Sequence, residues 1–371
     1  MSVLTRAPVM PTYVRAGVTF VEGEGAWLTS SDGRRFLDFA AGIAVVGLGH
    51  GHPEPLAAAH AQLDRLWHVS NLYWTEPMAA LAELLSERFG GAQAFFCNSG
   101  AEANEAALKY ARRATGKAGV VALEGSFHGR TLGALSVTGQ PGKRAAFEPL
   151  VPGVSFARLN DAASLEAAVG PETGLILIEP VQGEGGVRPA SPGFLAAAAE
   201  LAAEQGALLC FDEVQTGVGR TGTFFAFEQL GVRPHLVTLA KGLANGLPIG
   251  ALLAADHAPS GLTAGDHAST FGGNPVVCAA ACAVVDAVDE ELLENVCARS
   301  AQLAEAFPVG GLGLLLGLDL DRPAGPVVEA CLDAGLLVTS AGERTLRLSP
   351  PLVVTADEVV QAISIFEEVL L

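Results

Sequence analysis

Two short apolar runs in this chain stop abruptly on a charged side chain, Ala207-Leu-Leu-Cys-Phe211 on Asp212 and Leu236-Val-Thr-Leu-Ala240 on Lys241. Each has the length and composition of a buried strand, and the glycines of Gly242-Leu-Ala-Asn-Gly-Leu-Pro-Ile-Gly250 let backbone and ligand approach closely. The two charges lie 29 positions apart, about one strand–helix–strand unit, so they can meet at the carboxyl edge of one parallel sheet, where such folds hold ligands. The chain has only four lysines in 371 residues, so one set at the end of an apolar run is not there for solubility.

That pair suits pyridoxal phosphate chemistry. A desolvated lysine loses its preference for the ammonium form and can form a Schiff base with an aldehyde, while a buried carboxylate keeps a pyridine nitrogen protonated and makes the ring an electron sink. Taken alone, Lys241 paired with a surface acid and Asp212 capping a helix would explain the residues equally well.

The same plan recurs along the chain. Over 46–255, helical segments separate short apolar strands around Ala94–Phe96, Val120–Leu123, Leu175–Ile178, Leu208–Phe211, Leu236–Leu239 and Gly250–Leu253. Alternation of this kind predicts a large domain with a mostly parallel sheet covered on both faces. Residues 1–45 read as an amino-terminal arm that contributes to a small domain, with tight turns at Gly23–Gly25 and Ser31–Gly33 between short strands such as Trp27-Leu28 and Phe36-Leu37. Over 256–371 a long apolar helix after Pro275, strands near Leu314–Leu316, Leu336–Val338 and Leu346–Leu348, and a final helix capped by Thr355 form a smaller α/β domain. The fold class is therefore α/β.

Half of the residues are hydrophobic, enough for a large core, and the formal charge of −18 argues against nucleic acid or an anionic membrane as partner. The six cysteines show no CxxC spacing and read as free thiols of a reducing compartment. Cys278 and Cys282 share a helical face, but no histidine or acid continues a ligand pattern, so no metal is expected. Met1–Pro8 lacks a signal-type apolar region, and no apolar stretch reaches about 18 residues without Gly, Pro or a charge, so a soluble cytoplasmic protein is expected.

Other candidate groups cluster at strand ends. Asn98-Ser-Gly-Ala-Glu-Ala-Asn-Glu105 follows a strand and opens a helix running to about Thr115, whose free N–H groups suit a phosphate. Ser99-Gly-Ala-Glu102 is equally a capping box, which needs no ligand. Ser126-Phe-His-Gly-Arg-Thr131 offers an aromatic plane in Phe127 and a cation in Arg130, and Glu179-Pro-Val-Gln-Gly-Glu-Gly-Gly186 brings two acids to the same edge. His267-Ala-Ser-Thr-Phe-Gly-Gly-Asn-Pro275 supplies hydroxyls in a loop too rich in Gly and Pro for regular structure.

Together these segments resemble the class III aminotransferases of the fold-type I pyridoxal phosphate superfamily, most closely its acetylornithine aminotransferases. The resemblance runs from Gly42-Ile-Ala-Val45 and Leu48-Gly-His50 through Trp67-His-Val-Ser-Asn71 to Leu346-Arg-Leu-Ser-Pro-Pro-Leu352. Its longest matches are Asp212-Glu-Val-Gln-Thr-Gly-Val-Gly-Arg-Thr-Gly222 and the surroundings of Lys241. It implies that Lys241 bonds the cofactor and shuttles a proton, that Asp212 pairs with the ring nitrogen, that Phe127 and Val214 pack on the ring's two faces, and that Gln215 meets its phenolic oxygen. Ser99, Gly100 and Ala101 would cradle the phosphate, with Thr270 completing the cradle from the second subunit of a homodimer. Ser269 and Arg130 would bind substrate, Tyr13 would face it, and Glu184 with Arg347 would form a switchable pair.

The implied reaction moves the terminal amine of N2-acetylornithine to 2-oxoglutarate, giving N-acetylglutamate 5-semialdehyde and glutamate, a step of arginine biosynthesis. A terminal-amine donor presents no carboxylate beside its reacting carbon, whereas glutamate and 2-oxoglutarate do, so one pocket serving both needs a cation that can be masked. Ornithine δ-aminotransferases and enzymes for acylated or carrier-linked lysine precursors share this chemistry, and a glutamate-1-semialdehyde aminomutase or a cofactor-holding regulator is more remote. Ile43 stands where ornithine enzymes place a tyrosine. The chain departs from the family pattern at His235, where an Asp is usual, at Asn245 and Ala268, where glycines are usual, and in the short Phe307–Gly313 segment, which lacks an arginine often found there. None of these removes a group the mechanism needs.

Overall fold

Apolar runs of four to six residues line up in a computed structural model as a seven-stranded sheet with Leu208–Asp212 at its centre. The structure describes residues 7–370; Met1–Arg6, most of the segment read above for a signal region, and Leu371 lie outside the described residues. The strand order is Ala92–Cys97, Gly250–Ala255, Leu236–Leu239, Leu208–Asp212, Thr173–Ile178, Gly119–Leu123 and Val154–Ala157. Neighbours are parallel except at Gly250–Ala255, which is antiparallel to both of its partners.

The continuous apolar runs follow from burial on both faces. Successive side chains on a strand point to opposite sides. Ile176, Phe211 and Val237 accordingly join one apolar cluster with Leu81, Leu85 and Phe89, while Leu177, Cys210 and Leu236 join another with Ala106, Ala107 and Ala111. The register Cys210↔Leu236 and Asp212↔Thr238 sets the carboxyl ends of the two central strands side by side. Asp212 and the start of the Lys241 turn therefore share one edge.

The arm folds into the smaller unit. Arg35–Asp38 pairs in parallel with Leu336–Leu337, and Leu37 and Phe39 share a core with Leu316, Leu346, Leu348 and Phe366. Thr355 caps the last helix, Ala356–Leu370, in a reciprocal exchange with Glu358. The helix Pro275–Ala287 stays with the large sheet's core through Cys278, Ala281, Val284 and Val285, so the change of core falls after Val288 rather than at 255. No composition break marks that point, because a helix this apolar fits either core. Among the described residues no helix is long and apolar enough to cross a membrane.

Candidate active site

A cavity of about 420 Å³ opens at the carboxyl edge of the large sheet, where the loops after its strands converge. Ser99, Gly100, Ala101, Phe127, Arg130, Glu184, Asp212, Val214, Gln215 and Lys241 all line it. These groups come from five strand–loop junctions scattered over more than a hundred residues of sequence.

Lys241 opens a short 3-10 turn, Lys241–Ala244, directly after its strand, and its φ of 44° is left-handed. That conformation disfavours any residue with a Cβ, and strain of this kind collects at functional sites. Burial, and after it the Arg347 charge, draw the ammonium down to about 8, against the opposing pull of Glu184, Asp212 and Glu179. A substantial neutral fraction follows near neutral pH. Below about pH 8 the rate constant for loading pyridoxal phosphate onto the apo-protein should therefore rise roughly tenfold per pH unit and then level off, whereas an ordinary lysine, near 10.4, would keep rising. Stopped-flow absorbance checks this; a rate still climbing steeply well above that pH contradicts it.

Asp212 is held from three sides. Its Oδ2 accepts from Asn104 Nδ2 at 2.8 Å and lies 2.7 Å from His128 Nδ1, and its Oδ1 accepts from the Val214 N–H at 3.1 Å. Asn104 is itself fixed, donating to the His128 carbonyl at 2.8 Å and accepting from Thr238 Oγ1 at 2.9 Å. The carboxylate thus presents one orientation to the cavity. His128 Nε2 is buried without a protein partner.

The far end of the cavity is the start of the helix Gly100–Thr115. Ser99 Oγ caps the helix by accepting from the Glu102 N–H at 3.2 Å, and Glu102 Oε2 reaches back one residue beyond the cap to accept from the Asn98 N–H at 2.7 Å, a variant of the capping box. It leaves the N–H groups of Gly100 and Ala101 without intrahelical acceptors, as every helix start does. A Cβ on Gly100 would come within 2.8 Å of the Val214 methyls. This close-fitting cradle, a fixed acid and a low-pKa amine around one cavity fit the phosphate, ring nitrogen and aldehyde of pyridoxal phosphate.

The acid–cation pair is equally specific. Arg347 is only 2% exposed, and its Nη1 donates to Glu184 Oε1, to the Gly183 carbonyl at 3.2 Å and to Gln215 Oε1 at 3.4 Å. Its Nε donates to Thr339 Oγ1 at 3.1 Å. Burial works against ionisation of Glu184, but the Arg347 guanidinium outweighs it and holds the carboxyl below its usual range. Glu184 keeps a quarter of its side chain exposed, and so has somewhere to move.

Three expected site residues do not reach the cavity within one chain. Ser269 Oγ is turned to Asn98 Nδ2 and the Gly272 N–H, Thr270 is exposed, and Tyr13 is 74% exposed with only the Arg15 guanidinium over its ring. The Tyr13 segment forms no strand or helix that would carry it to the sheet edge. Conversely, the reading from sequence left out Asn104 and His128 and gave Glu179 no role beyond that of one of two acids at this edge, although all three line the cavity. Asn104 had one visible signal, an amide among the helix's buried alanines.

Two departures from the family pattern have local explanations. Asn245 takes the left-handed φ of 48° that asparagine tolerates, and its amide bridges the Leu48 N–H and the Gly49 carbonyl, each at 2.9 Å. His235 Nδ1 accepts from the Leu209 N–H at 3.1 Å, so the neutral ring replaces a carboxylate as acceptor.

Comparison with known proteins agrees with this geometry. The profile of the family described as aminotransferase class-III matches residues 10–370. An acetylornithine aminotransferase of Archaeoglobus fulgidus is 47% identical over 363 residues, covering 96% of each chain. A solved N-acetylornithine aminotransferase from Stenotrophomonas maltophilia K279a superposes with a TM-score of 0.84 at 36% identity, covering 96% of both chains. The ornithine aminotransferase of Toxoplasma gondii, solved with partial occupancy of PLP at its active site, gives a TM-score of 0.92 at 31% identity over 99% of this chain and 92% of its own.

Proposed function

Because the chain belongs to the class-III aminotransferases and is a pyridoxal phosphate-dependent transaminase, we propose that it moves the terminal amine of N2-acetylornithine to 2-oxoglutarate, yielding N-acetylglutamate 5-semialdehyde and glutamate. The supporting observation is the Arg347–Glu184 pair beside Lys241: paired, it masks the Arg347 charge, and parted, it offers a buried guanidinium to a carboxylate. The relatives that share nearly half of its sequence carry the name acetylornithine aminotransferase, and the reading places the step in arginine biosynthesis in the cytoplasm.

The cofactor, when bound, supplies an aldehyde for amine exchange and a sink for the electrons of the carbon that loses its proton. Lys241 Nζ takes that proton and returns it one position along, and its lowered pKa enlarges the neutral fraction able to do so. Asp212, oriented by Asn104 and His128, holds the ring nitrogen's proton in place. The Gly100 and Ala101 N–H groups would bind the phosphate, with Phe127, Val214 and Gln215, which line the same cavity, holding the ring. Arg130 grips the substrate carboxylate far from the reacting carbon. Ser269, half-buried, and Thr270, exposed on one chain, would complete a neighbouring subunit's site in a homodimer, and the exposed Tyr13 would close over substrate in that assembly.

Donor profiling with 2-oxoglutarate tests this reading. Acetylornithine should exceed ornithine in kcat/KM by about a hundredfold, since Ile43, where ornithine enzymes place a tyrosine, gives a free α-amino group no hydrogen-bond partner. A profile led by ornithine, or isomerisation of glutamate 1-semialdehyde without 2-oxoglutarate, overturns it. The switch has its own signature in single-turnover kinetics. Glu184→Gln should slow the acetylornithine half-reaction while preserving or accelerating that of glutamate, because an unmasked cation favours a carboxylate beside the reacting carbon. Arg347→Ala should do the reverse, and equal slowing of both half-reactions by both variants makes the pair scaffolding.

A further inference from the structure

Glu179 closes the strand Thr173–Ile178 and lines the cavity at 6% exposure, yet the exchange chemistry gives it no step. Both of its oxygens are engaged by backbone: Oε1 accepts from the Phe127 N–H at 2.8 Å and Oε2 from the Gly183 N–H at 3.2 Å. A buried carboxylate is unfavourable unless its oxygens are satisfied, and here the satisfaction joins two separate working parts. One is the ring of Phe127. The other is the peptide immediately before Glu184.

Gly183 is fixed on its remaining sides as well. Its carbonyl accepts from Arg347 Nη1 at 3.2 Å, and a Cβ on it would come within 1.8 Å of Gln215 Oε1. Beyond Glu184 the chain continues as Gly185-Gly186, with Gly186 at a φ of 104° that only glycine adopts readily. The segment that carries the switching acid therefore has a clamped root on one side and a pliant pair of glycines on the other.

We propose that Glu179 is a positioning residue for substrate discrimination, pinning the root of the Glu184 loop to the Phe127 segment so that Glu184 can leave Arg347 and return to the same place. This role rests on the switch reading above. Without the pin, Gly183 would follow Glu184 outward, and the masked, carboxylate-free pocket that acetylornithine needs would re-form less often. Glutamate, which needs the unmasked state, would lose less.

The test compares single-turnover half-reactions with acetylornithine and glutamate in wild type, Glu179→Gln, Glu184→Gln and the double variant, together with the cofactor affinity of each apo-protein. An amide cannot accept from both peptides, so Glu179→Gln should lower the acetylornithine-to-glutamate rate ratio about tenfold, the size expected for one lost charge-assisted hydrogen bond. In the Glu184→Gln background the same change should alter the ratio less than about twofold, because its effect runs through an acid already neutralised. Cofactor affinity should fall several-fold with Glu179→Gln and not with Glu184→Gln, since of the two acids Glu179 is the one that accepts from the Phe127 N–H.

A shifted ratio in Glu184→Gln beside an unshifted one in Glu179→Gln overturns this role alone, as does equal slowing of both half-reactions by Glu179→Gln. A wild-type ratio in Glu184→Gln overturns the switch and this role with it. Unaltered cofactor affinity in Glu179→Gln overturns the Phe127 half of the role. Should Glu179→Gln fail to fold, Gly183→Ala drives the same peptide against Gln215 and off Glu179 while the buried acid itself is kept, and the ratio must fall there too.

Discussion

Lys241→Ala should reduce turnover by at least about 10⁴-fold while leaving a folded protein that still binds pyridoxal phosphate. Removing a positioned general base alone costs on the order of 10²–10⁴, and in the proposed mechanism the same amine is also the cofactor's covalent anchor. No neighbour can stand in for it. The acids around it lack an amine, and Arg347 is held in its pair with Glu184. Cofactor binding should persist because the phosphate cradle at Ser99–Ala101, the Asp212 carboxylate and the packing of Phe127 and Val214 are all on other segments. Steady-state assay and absorbance titration check both halves, and a variant retaining more than about one per cent of turnover would defeat the assignment.

Asp212→Asn should cost about 10²–10³ in kcat with little change in fold. The amide oxygen can keep the hydrogen bonds from Asn104 and His128, so orientation survives, and what is lost is the charge and the longer bond from the Val214 N–H. A neutral amide cannot hold a proton on the ring nitrogen, and each unit by which that nitrogen's pKa drops weakens the electron sink by about 1.4 kcal/mol. Glu179 does not rescue the variant. Burial raises its carboxyl to about 7, and both of its oxygens already accept from backbone. Turnover within about threefold of wild type, with an unchanged melting curve, would show that another group stabilises the ring proton.

What sequence disclosed about this site was whatever depended on order along the chain. Asp212 and Lys241 were legible because an apolar run fixes where a strand ends, and a parallel sheet brings all such ends to one edge. The cradle was legible because Ser99 and Glu102 announce a helix start whether or not a ligand is present. Asn104 was not, because its value lies in a partner 108 positions away that no local pattern signals. Glu179 stood out as one of two acids near a glycine run, but only the structure distinguishes the acid that grips backbone from the one that faces Arg347. The antiparallel turn of Gly250–Ala255 was hidden for a similar reason, since a strand buried on both faces reads alike in either direction.

The central claim is that Lys241, alone among four lysines, bonds the cofactor and moves the proton. Borohydride reduction of the purified holoenzyme, followed by proteolysis and peptide mass spectrometry, tests it most directly. The account predicts a reduced pyridoxyl adduct on the peptide containing Lys241 and on no other. An adduct on Lys109, Lys117 or Lys143, or none at all, would contradict it.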